Sequence, residues 1–220
     1  MPERPAFAPS AFVSRRAFND AVTGMWSVLS PLYDQPALQR WIYRPPQNAV
    51  LSALTAHGCR KIADIACGTG VLSERIAREL KPEVLYGVDM SEGMLNEARN
   101  KTDQVQWLRA PAEQLPFDDG SLDAVVATTA FHFFDQPAAL REFHRVLAPG
   151  GIAAITTLSG WKLRPNRSSS SDWLPHHNPS AQELRVLFSA AGFVVSQQHS
   201  VPRPAWTKLV GDILTVGTKG

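Results

Sequence analysis

Apolar positions along this chain follow two alternating periods. Short apolar runs, typical of buried strands, are separated by segments in which apolar residues recur every three or four positions, as in amphipathic helices. The clearest pair is a run over Ile62–Ala66 followed by residues 71–80, where Leu72, Ile76 and Leu80 share one helical face. Because strands alternate with helices in this way, the pattern predicts a parallel, doubly wound α/β sheet of the Rossmann-like kind.

The same reading extends over the whole chain. Strands are predicted over residues 61–66, 84–88, 104–108, 122–128, 151–157, 193–201 and 206–217. Helices are predicted over residues 11–30, 35–43, 47–56, 71–80, 91–100, 136–147 and 180–190. The proline pair Pro45-Pro46 should separate the second helix from the third. Since no helix lies between the last two strands, we expect a mostly parallel seven-stranded sheet that ends in a C-terminal antiparallel hairpin.

Two segments lie outside this alternation. Residues 1–44 should form an N-terminal helical cap in front of a domain over 45–220, within a single globular unit. Residues 158–179 contain four consecutive serines and no periodic apolar pattern. A loop of this length is usually functional or disordered, so we expect a mobile lid.

Composition narrows the class of protein. A chain of 220 residues with 44% hydrophobic and 19% charged residues fits one soluble α/β domain. The net charge of +2 gives no sign of a nucleic-acid partner. The two cysteines, Cys59 and Cys67, lack metal-ligand spacing, so no metal is expected and the thiols should be reduced. With neither a signal peptide nor a membrane-length apolar run, we expect a cytoplasmic protein.

The first predicted strand runs into a glycine-rich turn, and this turn carries the chemistry. Gly68 and Gly70 permit positive φ, and the helix that follows points free N–H groups at an anionic group. Asp89 ends the next strand nineteen residues after Gly70, where a Rossmann-type fold holds ribose hydroxyls. The third glycine of a dinucleotide fingerprint is absent, which weakens an NAD site. Asp64, a carboxylate just before the turn, instead suits an ammonium group.

These blocks resemble class I S-adenosylmethionine (SAM) methyltransferases of the type 11 subgroup, which includes the ubiquinone and menaquinone C-methyltransferases. The resemblance is strong over about 45–160 and rests on four ordered blocks. They are Ile62–Gly70, Gly87–Ser91, Ala112–Phe117 and Arg145–Gly151. The resemblance implies SAM as the cofactor and methyl transfer as the reaction.

The family also implies roles for individual residues. Asp64 should reach the methionine amino group, and Asp89 should take both ribose hydroxyls unless it is only a helix-start acid. Ser91 is the better helix N-cap, which leaves Asp89 free for the ribose. The remaining cofactor contacts implied are Ala66, Gly68 and Gly70 at the methionine moiety, Met90, Pro111, Ala112 and Glu113 at the adenine, and Thr128 at the strand end.

Three of these positions depart from the usual family pattern or allow a second interpretation. Ala66 stands where glycine is usual, and alanine is expected to keep φ negative there. Pro111 replaces an aspartate and offers neither a side-chain acceptor nor an N–H donor. Glu113 is equally well explained as a surface acid.

Two residues are candidates for the chemical step. His132 follows a strand whose carboxyl end faces the reacting methyl group, so it is either a general base or a residue that shapes the pocket. Tyr33 matches a Tyr-Asp pair ahead of the core in many relatives and could stabilise the sulfonium by a cation–π contact. The Asn/Asp/Ser-Pro-Pro-aromatic tetrad of DNA and RNA amino-methyltransferases is absent after this strand, which argues against that substrate class.

The sequence therefore predicts an enzyme that methylates an O, C or N atom of a small, apolar or aromatic molecule. The substrate class is suggested by aromatic residues in the cap and the lid, which are Trp26, Tyr33, Trp161 and Trp173. Two alternatives remain open. A phospholipid or quinone methyltransferase would lay the Phe12–Leu29 helix on a membrane surface, and a non-catalytic protein would bind SAM without transferring its methyl group. The oligomeric state is not predicted.

Overall fold

The computed structural model describes residues 35, 39–159, 178–203 and 211–220. Seven strands form one sheet in the order β3-β2-β1-β4-β5-β7-β6. They are β1 (Lys61–Ile65), β2 (Val84–Asp89), β3 (Gln106–Arg109), β4 (Leu122–Thr128), β5 (Leu147–Ser159), β6 (Phe193–Ser200) and β7 (Gly211–Lys219). Strands β1 to β5 pair in parallel, whereas β7 is antiparallel to both β5 and β6. The predicted Rossmann-like sheet and its closing hairpin are confirmed.

Helices cover both faces of this sheet. They are α1 (Arg44–His57), α2 (Val71–Leu80), α3 (Glu92–Arg99), α4 (Gln136–Val146) and α5 (Ala181–Ala190). On one face α1 and α2 pack against the sheet through Leu54 and Ile76, and on the other α4 and α5 pack through Phe143 and Phe188. These side chains are at most 1% exposed. Burial on both faces explains why β1 and β4 are near-continuous apolar runs.

The proline pair begins a helix, so the predicted break at this point is wrong. A π-helix over Gln39–Tyr43 continues directly into α1, which places Pro45 and Pro46 in the first turn. Prolines are tolerated there because the first N–H groups of a helix have no intrahelical acceptor. Helix α1 ends at His57, and Gly58, with a left-handed φ of 61°, caps it.

Several strand boundaries also differ from the prediction. Strand β5 begins at Leu147 and not at residue 151, because Leu147 already pairs with Leu122 before the register shifts. Strand β3 covers 106–109 in place of the predicted 104–108, and β7 extends to Lys219. The predicted 11–30 helix, Tyr33 and nearly all of the 158–179 loop lie outside the described residues.

The strand order sets where a ligand can bind. From β1 the chain proceeds to β2 on one side, and it later returns to place β4 on the other. In open α/β sheets the crevice at such a switch point, beyond the carboxyl ends of the strands, is the usual binding position. Within the described ranges, no helix combines the length and the apolar character that crossing a membrane requires.

Candidate active site

A cavity of about 300 Å³ opens at the carboxyl ends of β1, β2 and β4. One wall follows the ends of β1 and β2, with Ala66, Gly68, Asp89 and Met90. A second group of lining residues is mostly aromatic and apolar, and it consists of Tyr43, His132, Phe133, Phe134 and Leu158. We call the second group the apolar wall. The cavity therefore has one half suited to a polar ligand and another suited to an apolar one.

The glycine-rich turn is held by two backbone hydrogen bonds. Cys67 donates its N–H to the carbonyl of Val88 over 3.1 Å, and Gly70 donates to the carbonyl of Cys67 over 3.0 Å. Ala66, Gly68 and Gly70 all have positive φ, at 54°, 58° and 77°. The expectation of a negative φ at Ala66 is wrong, because the left-handed conformation at this position belongs to the turn itself. A non-glycine residue held there stores backbone strain at the cavity wall.

Asp89 is held by the turn on one side and by α3 on the other. One oxygen, Oδ2, accepts from the N–H of Gly68 over 2.9 Å, and Oδ1 accepts from the N–H of Ser91 over 2.8 Å. Ser91 itself caps α3, since its hydroxyl accepts from the N–H of Met94 over 3.2 Å. A carboxylate has about four acceptor sites, so Asp89 can accept from a ligand hydroxyl in addition to these backbone donors. Burial raises the pKa of Asp89, and these backbone donors oppose that rise.

Asp64 lies behind the turn and not on the cavity surface. Its side chain is 1% exposed, and Oδ2 accepts from the Ser73 hydroxyl over 2.6 Å. The other oxygen, Oδ1, has no hydrogen-bond partner among the described residues. Burial raises the pKa of Asp64 to about 7, with the Ser73 hydrogen bond opposing the rise and the nearby Asp89 charge adding to it. A buried carboxylate with an unused acceptor fits an incoming ammonium group, and this contact stays a prediction.

Gly70 does not line the cavity, although it was expected to let a ligand approach. A Cβ at this position would lie 2.5 Å from Cη2 of Trp107. At Gly87 on β2, a Cβ would lie 2.2 Å from Cζ3 of the same indole. Both glycines therefore make room for Trp107, which packs beneath the turn. The sequence carried no signal that separates this packing from a ligand contact.

The predicted adenine segment is fixed by hydrogen bonds to α4 and its N-terminus. Glu113 lines the cavity, and its Oε1 accepts from the N–H of Asp135 over 2.6 Å, so Glu113 is not a free surface acid. Glu142 accepts from the N–H of Leu115 over 2.7 Å. Arg145 donates to the carbonyl of Leu115 over 3.2 Å. The segment is thus held in place before any ligand binds.

Within the same segment, the two residues ahead of Glu113 occupy different positions. Ala112 lines the cavity, whereas Pro111 does not. The carbonyl of Pro111 instead accepts from the N–H of Gln114 over 3.2 Å, which closes a turn. The predicted contact of Pro111 with adenine stays a prediction.

Beyond β4 the chain turns sharply at Thr129. Its φ of 56° is a genuine outlier for a β-branched residue. The N–H of Thr129 donates to the carbonyl of Thr156 over 3.1 Å, and its buried hydroxyl has no partner within the described part of the chain. Thr128 and Thr129 both line the cavity. His132 follows in a 3₁₀ helix over Phe131–Phe133 and also lines it.

Comparisons with known proteins agree with this geometry. The family described as a methyltransferase domain, type 11, matches residues 63–155. A 2-phytyl-1,4-naphtoquinone methyltransferase of Nostoc punctiforme is 32% identical over 76% of this chain and 69% of its own length. A demethylmenaquinone methyltransferase of Bacteroides fragilis is 33% identical over 64% of this chain and 61% of its own length, so the match spans less than two thirds of that relative.

The chain belongs to the class I SAM-dependent methyltransferases, in the ubiquinone/menaquinone C-methyltransferase-like subgroup. The fold of this methyltransferase also matches the solved magnesium protoporphyrin IX methyltransferase of Synechocystis PCC 6803 with bound S-adenosylhomocysteine. That match has a TM-score of 0.68 at 16% identity and covers 96% of this chain and 100% of the other. Membership favours an enzyme that uses SAM over a non-catalytic SAM-binding protein.

The structure brings most of the predicted SAM contacts of this methyltransferase into one cavity. Those that line it are Ala66, Gly68, Asp89, Met90, Ala112, Glu113 and Thr128. Asp64, Gly70 and Pro111 do not line it. The residues present fit SAM, because a carboxylate, a left-handed turn and two buried unpartnered oxygens face or adjoin the same space. In the described ranges, no cluster of side chains could hold a metal ion.

Sequence reasoning missed several lining residues of this methyltransferase. Tyr43, Thr129, Phe134 and Leu158 all line the cavity and belong to no recognised motif. Thr129 was passed over because only its backbone conformation marks it. Tyr43 precedes the proline pair, and the predicted break there hid its position at the cavity.

Proposed function

We propose that this methyltransferase acts on a small planar acceptor of the hydroquinone type and methylates a ring carbon. The observation that carries the proposal is the apolar wall, which lines the same cavity of about 300 Å³ as the predicted cofactor contacts Ala66, Gly68 and Asp89. Flat aromatic faces and aliphatic side chains suit a flat, apolar ring. The names of the two relatives, one a phytyl-naphthoquinone and the other a demethylmenaquinone methyltransferase, support this substrate class.

When bound, SAM supplies a methyl group on a positively charged sulfur. The chain's own residues hold both reactants in place. Asp89 holds the ribose, Ala66 and Gly68 hold the methionine moiety, and Phe133, Phe134 and the rest of the apolar wall exclude water from the acceptor. Alignment of the attacking atom with the methyl group provides much of the rate acceleration in such a transfer, so rigid walls matter more than acid–base groups.

We propose that His132 takes the hydroxyl proton of the hydroquinone. An unperturbed imidazole titrates near neutrality, at pKa about 6.5, which suits a general base. Loss of this proton would make the ring carbon electron-rich enough to accept the methyl group, with S-adenosylhomocysteine as the leaving group. The proton on the methylated carbon would then go to solvent, and His132 would return its proton to the quinol oxygen, so that one proton is released overall and the aromatic ring is restored. The alternative, in which His132 only shapes the pocket, is tested in the Discussion.

We propose a cytoplasmic location, which is supported by the two free cysteines, Cys59 and Cys67. We also propose that residues 1–44 cap the 45–220 domain, that the loop over 158–179 serves as a lid, and that Tyr33 approaches the sulfonium. The hydroquinone would be a small-molecule substrate, with no nucleic-acid partner. Association of the enzyme with a membrane surface is compatible with a prenylated acceptor but is not favoured by any described residue.

The test is turnover of an acceptor panel by the purified enzyme with methyl-labelled SAM. The panel contains a prenylated 1,4-naphthoquinol without the ring methyl group, a prenylated benzoquinol, a catechol and a phospholipid with an unmethylated amine. We expect the label in the quinols and, by mass spectrometry with fragmentation, on a ring carbon.

The matched control is the oxidised naphthoquinone, which has the same shape but no hydroxyl proton to lose. It should not be methylated. Methylation of the catechol or the phospholipid with no quinol product, or methylation of a quinol oxygen, would contradict the proposed acceptor.

A further inference from the structure

Arg203 has a buried guanidinium that no catalytic step uses. It follows β6, and its side chain is 3% exposed while that of its partner Asp212 on β7 is fully buried. Arg203 donates through Nε and Nη2 to Oδ2 of Asp212, the first bond being 2.8 Å long. Burial raises the pKa of Asp212, and the Arg203 charge opposes the rise. A desolvated pair of this kind needs further hydrogen bonds to be stable.

Those further bonds go to the N-terminal segment. Nη1 of Arg203 donates to the carbonyl of Trp41 over 3.0 Å, and Nη2 donates to the carbonyl of Ile42 over 2.8 Å. In α-helical pairing these carbonyls would accept from the N–H groups of residues 45 and 46, and in π-helical pairing the Trp41 carbonyl would accept from residue 46. Both residues are prolines, which have no N–H. Arg203 therefore supplies the donors that the proline pair removes.

The next residue along the chain, Tyr43, lines the apolar wall. We call the contacts of Arg203 with Asp212 and with the carbonyls of Trp41 and Ile42 the clamp. Asp212 pairs in register with Leu158, which belongs to the same apolar wall. Arg203 thus joins a π-helix to the strand pair beneath the acceptor half of the cavity. π-helical turns are rare and are often found at functional sites.

We propose that Arg203, held by Asp212, is a positioning residue that fixes Tyr43 against the cavity and thereby sets the affinity for the acceptor. Arg203 acts only through the segment over Gln39–Tyr43. It does not affect cofactor binding on the wall that contains Gly68 and Asp89. The kinetic part of this inference rests on the proposed function, whereas the clamp itself does not.

The first experiment is hydrogen–deuterium exchange on wild-type enzyme and Arg203→Lys. Lysine keeps the positive charge beside Asp212 but lacks the planar fork that reaches two carbonyls at once. We expect faster exchange over residues 39–50 and unchanged exchange over residues 61–70. Arg78→Lys is the matched control, because Arg78 is an exposed arginine that pairs with Glu74 on α2. Unchanged exchange over residues 39–50 in Arg203→Lys would overturn the clamp.

The second experiment measures affinity and kinetics with the quinol that the wild type turns over best. Arg203→Lys should raise the acceptor KM by about tenfold and leave the dissociation constant for S-adenosylhomocysteine within about twofold. Pro45→Ala, which restores an N–H opposite the Trp41 carbonyl, should recover part of this loss when combined with Arg203→Lys. In a Tyr43→Ala background, Arg203→Lys should add little to the KM.

One contradicting result is that Arg203→Lys raises the acceptor KM as much in the Tyr43→Ala background as in the wild type. The other is that Arg203→Lys also weakens S-adenosylhomocysteine binding. Either result would show that Arg203 does not act through Tyr43. If Arg203→Lys fails to fold, the comparison of Tyr43→Ala with wild type carries the test, and an unchanged acceptor KM there overturns the proposal. If the wild type turns over no quinol, the proposed acceptor is wrong, and the exchange experiment still tests the clamp.

Discussion

Replacing Asp89 by alanine should weaken SAM binding more than it lowers the free energy of unfolding. The carboxylate is the charged acceptor on the cofactor wall of the cavity. Hydrogen bonds to a charged group contribute about 1.5–3 kcal/mol. Losing those to the ribose should therefore reduce affinity roughly 10- to 150-fold.

The effect on stability has two opposing parts. Asp89→Ala leaves the N–H groups of Gly68 and Ser91 without their acceptor, which costs about 1–3 kcal/mol if water does not replace it. The change also removes a buried carboxylate whose pKa is raised by burial, which offsets part of that cost. We therefore expect a folded variant with a modest loss of unfolding free energy. Asp89→Asn, which keeps one carbonyl acceptor, should be intermediate in affinity.

The assay is isothermal titration calorimetry with S-adenosylhomocysteine, combined with urea unfolding of the same samples. Asp103→Ala is the control, because Asp103 is an exposed aspartate that does not line the cavity. Its affinity and stability should match those of the wild type. If Asp89→Ala bound S-adenosylhomocysteine as tightly as the wild type and lost only stability, Asp89 would be a structural acid and the ribose contact would be refuted.

Three further predictions concern Asp64, His132 and Gly70. Because the pKa of Asp64 rises from 3.8 to about 7 on folding, the native state binds the extra proton and stability should fall as pH rises between these values. In urea unfolding measured across this pH range, Asp64→Asn should no longer show the fall in unfolding free energy. If the variant kept the pH profile of the wild type, the raised pKa of Asp64 would not be its cause. His132→Ala should lower kcat about 10²-fold with unchanged S-adenosylhomocysteine affinity, and a fall below about threefold would assign His132 to pocket shape. Gly70→Ala should cost about 2–4 kcal/mol by thermal unfolding, since it adds a clash with Trp107 to backbone strain. Gly150→Ala, with a similar φ of 79° and open space around it, should cost only about 1 kcal/mol, and equal losses would refute the packing argument.

The order of elements was predictable because each buried strand and each amphipathic helix has its own period. Asp89 and Gly68 were placed at the cavity by motif and spacing, and Met90 by the resemblance to the family. Both signals are local, so no knowledge of distant contacts was needed.

Contacts between distant parts of the chain were not predictable. Gly70 must be glycine because Trp107 packs against it, and Trp107 lies on strand β3, distant in the sequence. Arg203 donates to the carbonyl of Ile42, from which it is separated by 161 positions in the sequence, and so replaces a donor that the proline pair lacks. Thr129 is marked only by its backbone angle. Such features arise from tertiary packing, which residue spacing does not encode.

A crystal structure of the enzyme with S-adenosylhomocysteine would show directly where the cofactor binds. One cavity should hold the cofactor on the wall formed by Ala66, Gly68 and Asp89 and leave the apolar wall for the acceptor. We predict ribose density on Asp89 and a sulfur atom that faces His132 and the space beside Tyr43. A cofactor bound elsewhere, or one whose sulfur faces away from His132, would contradict this assignment of the cavity.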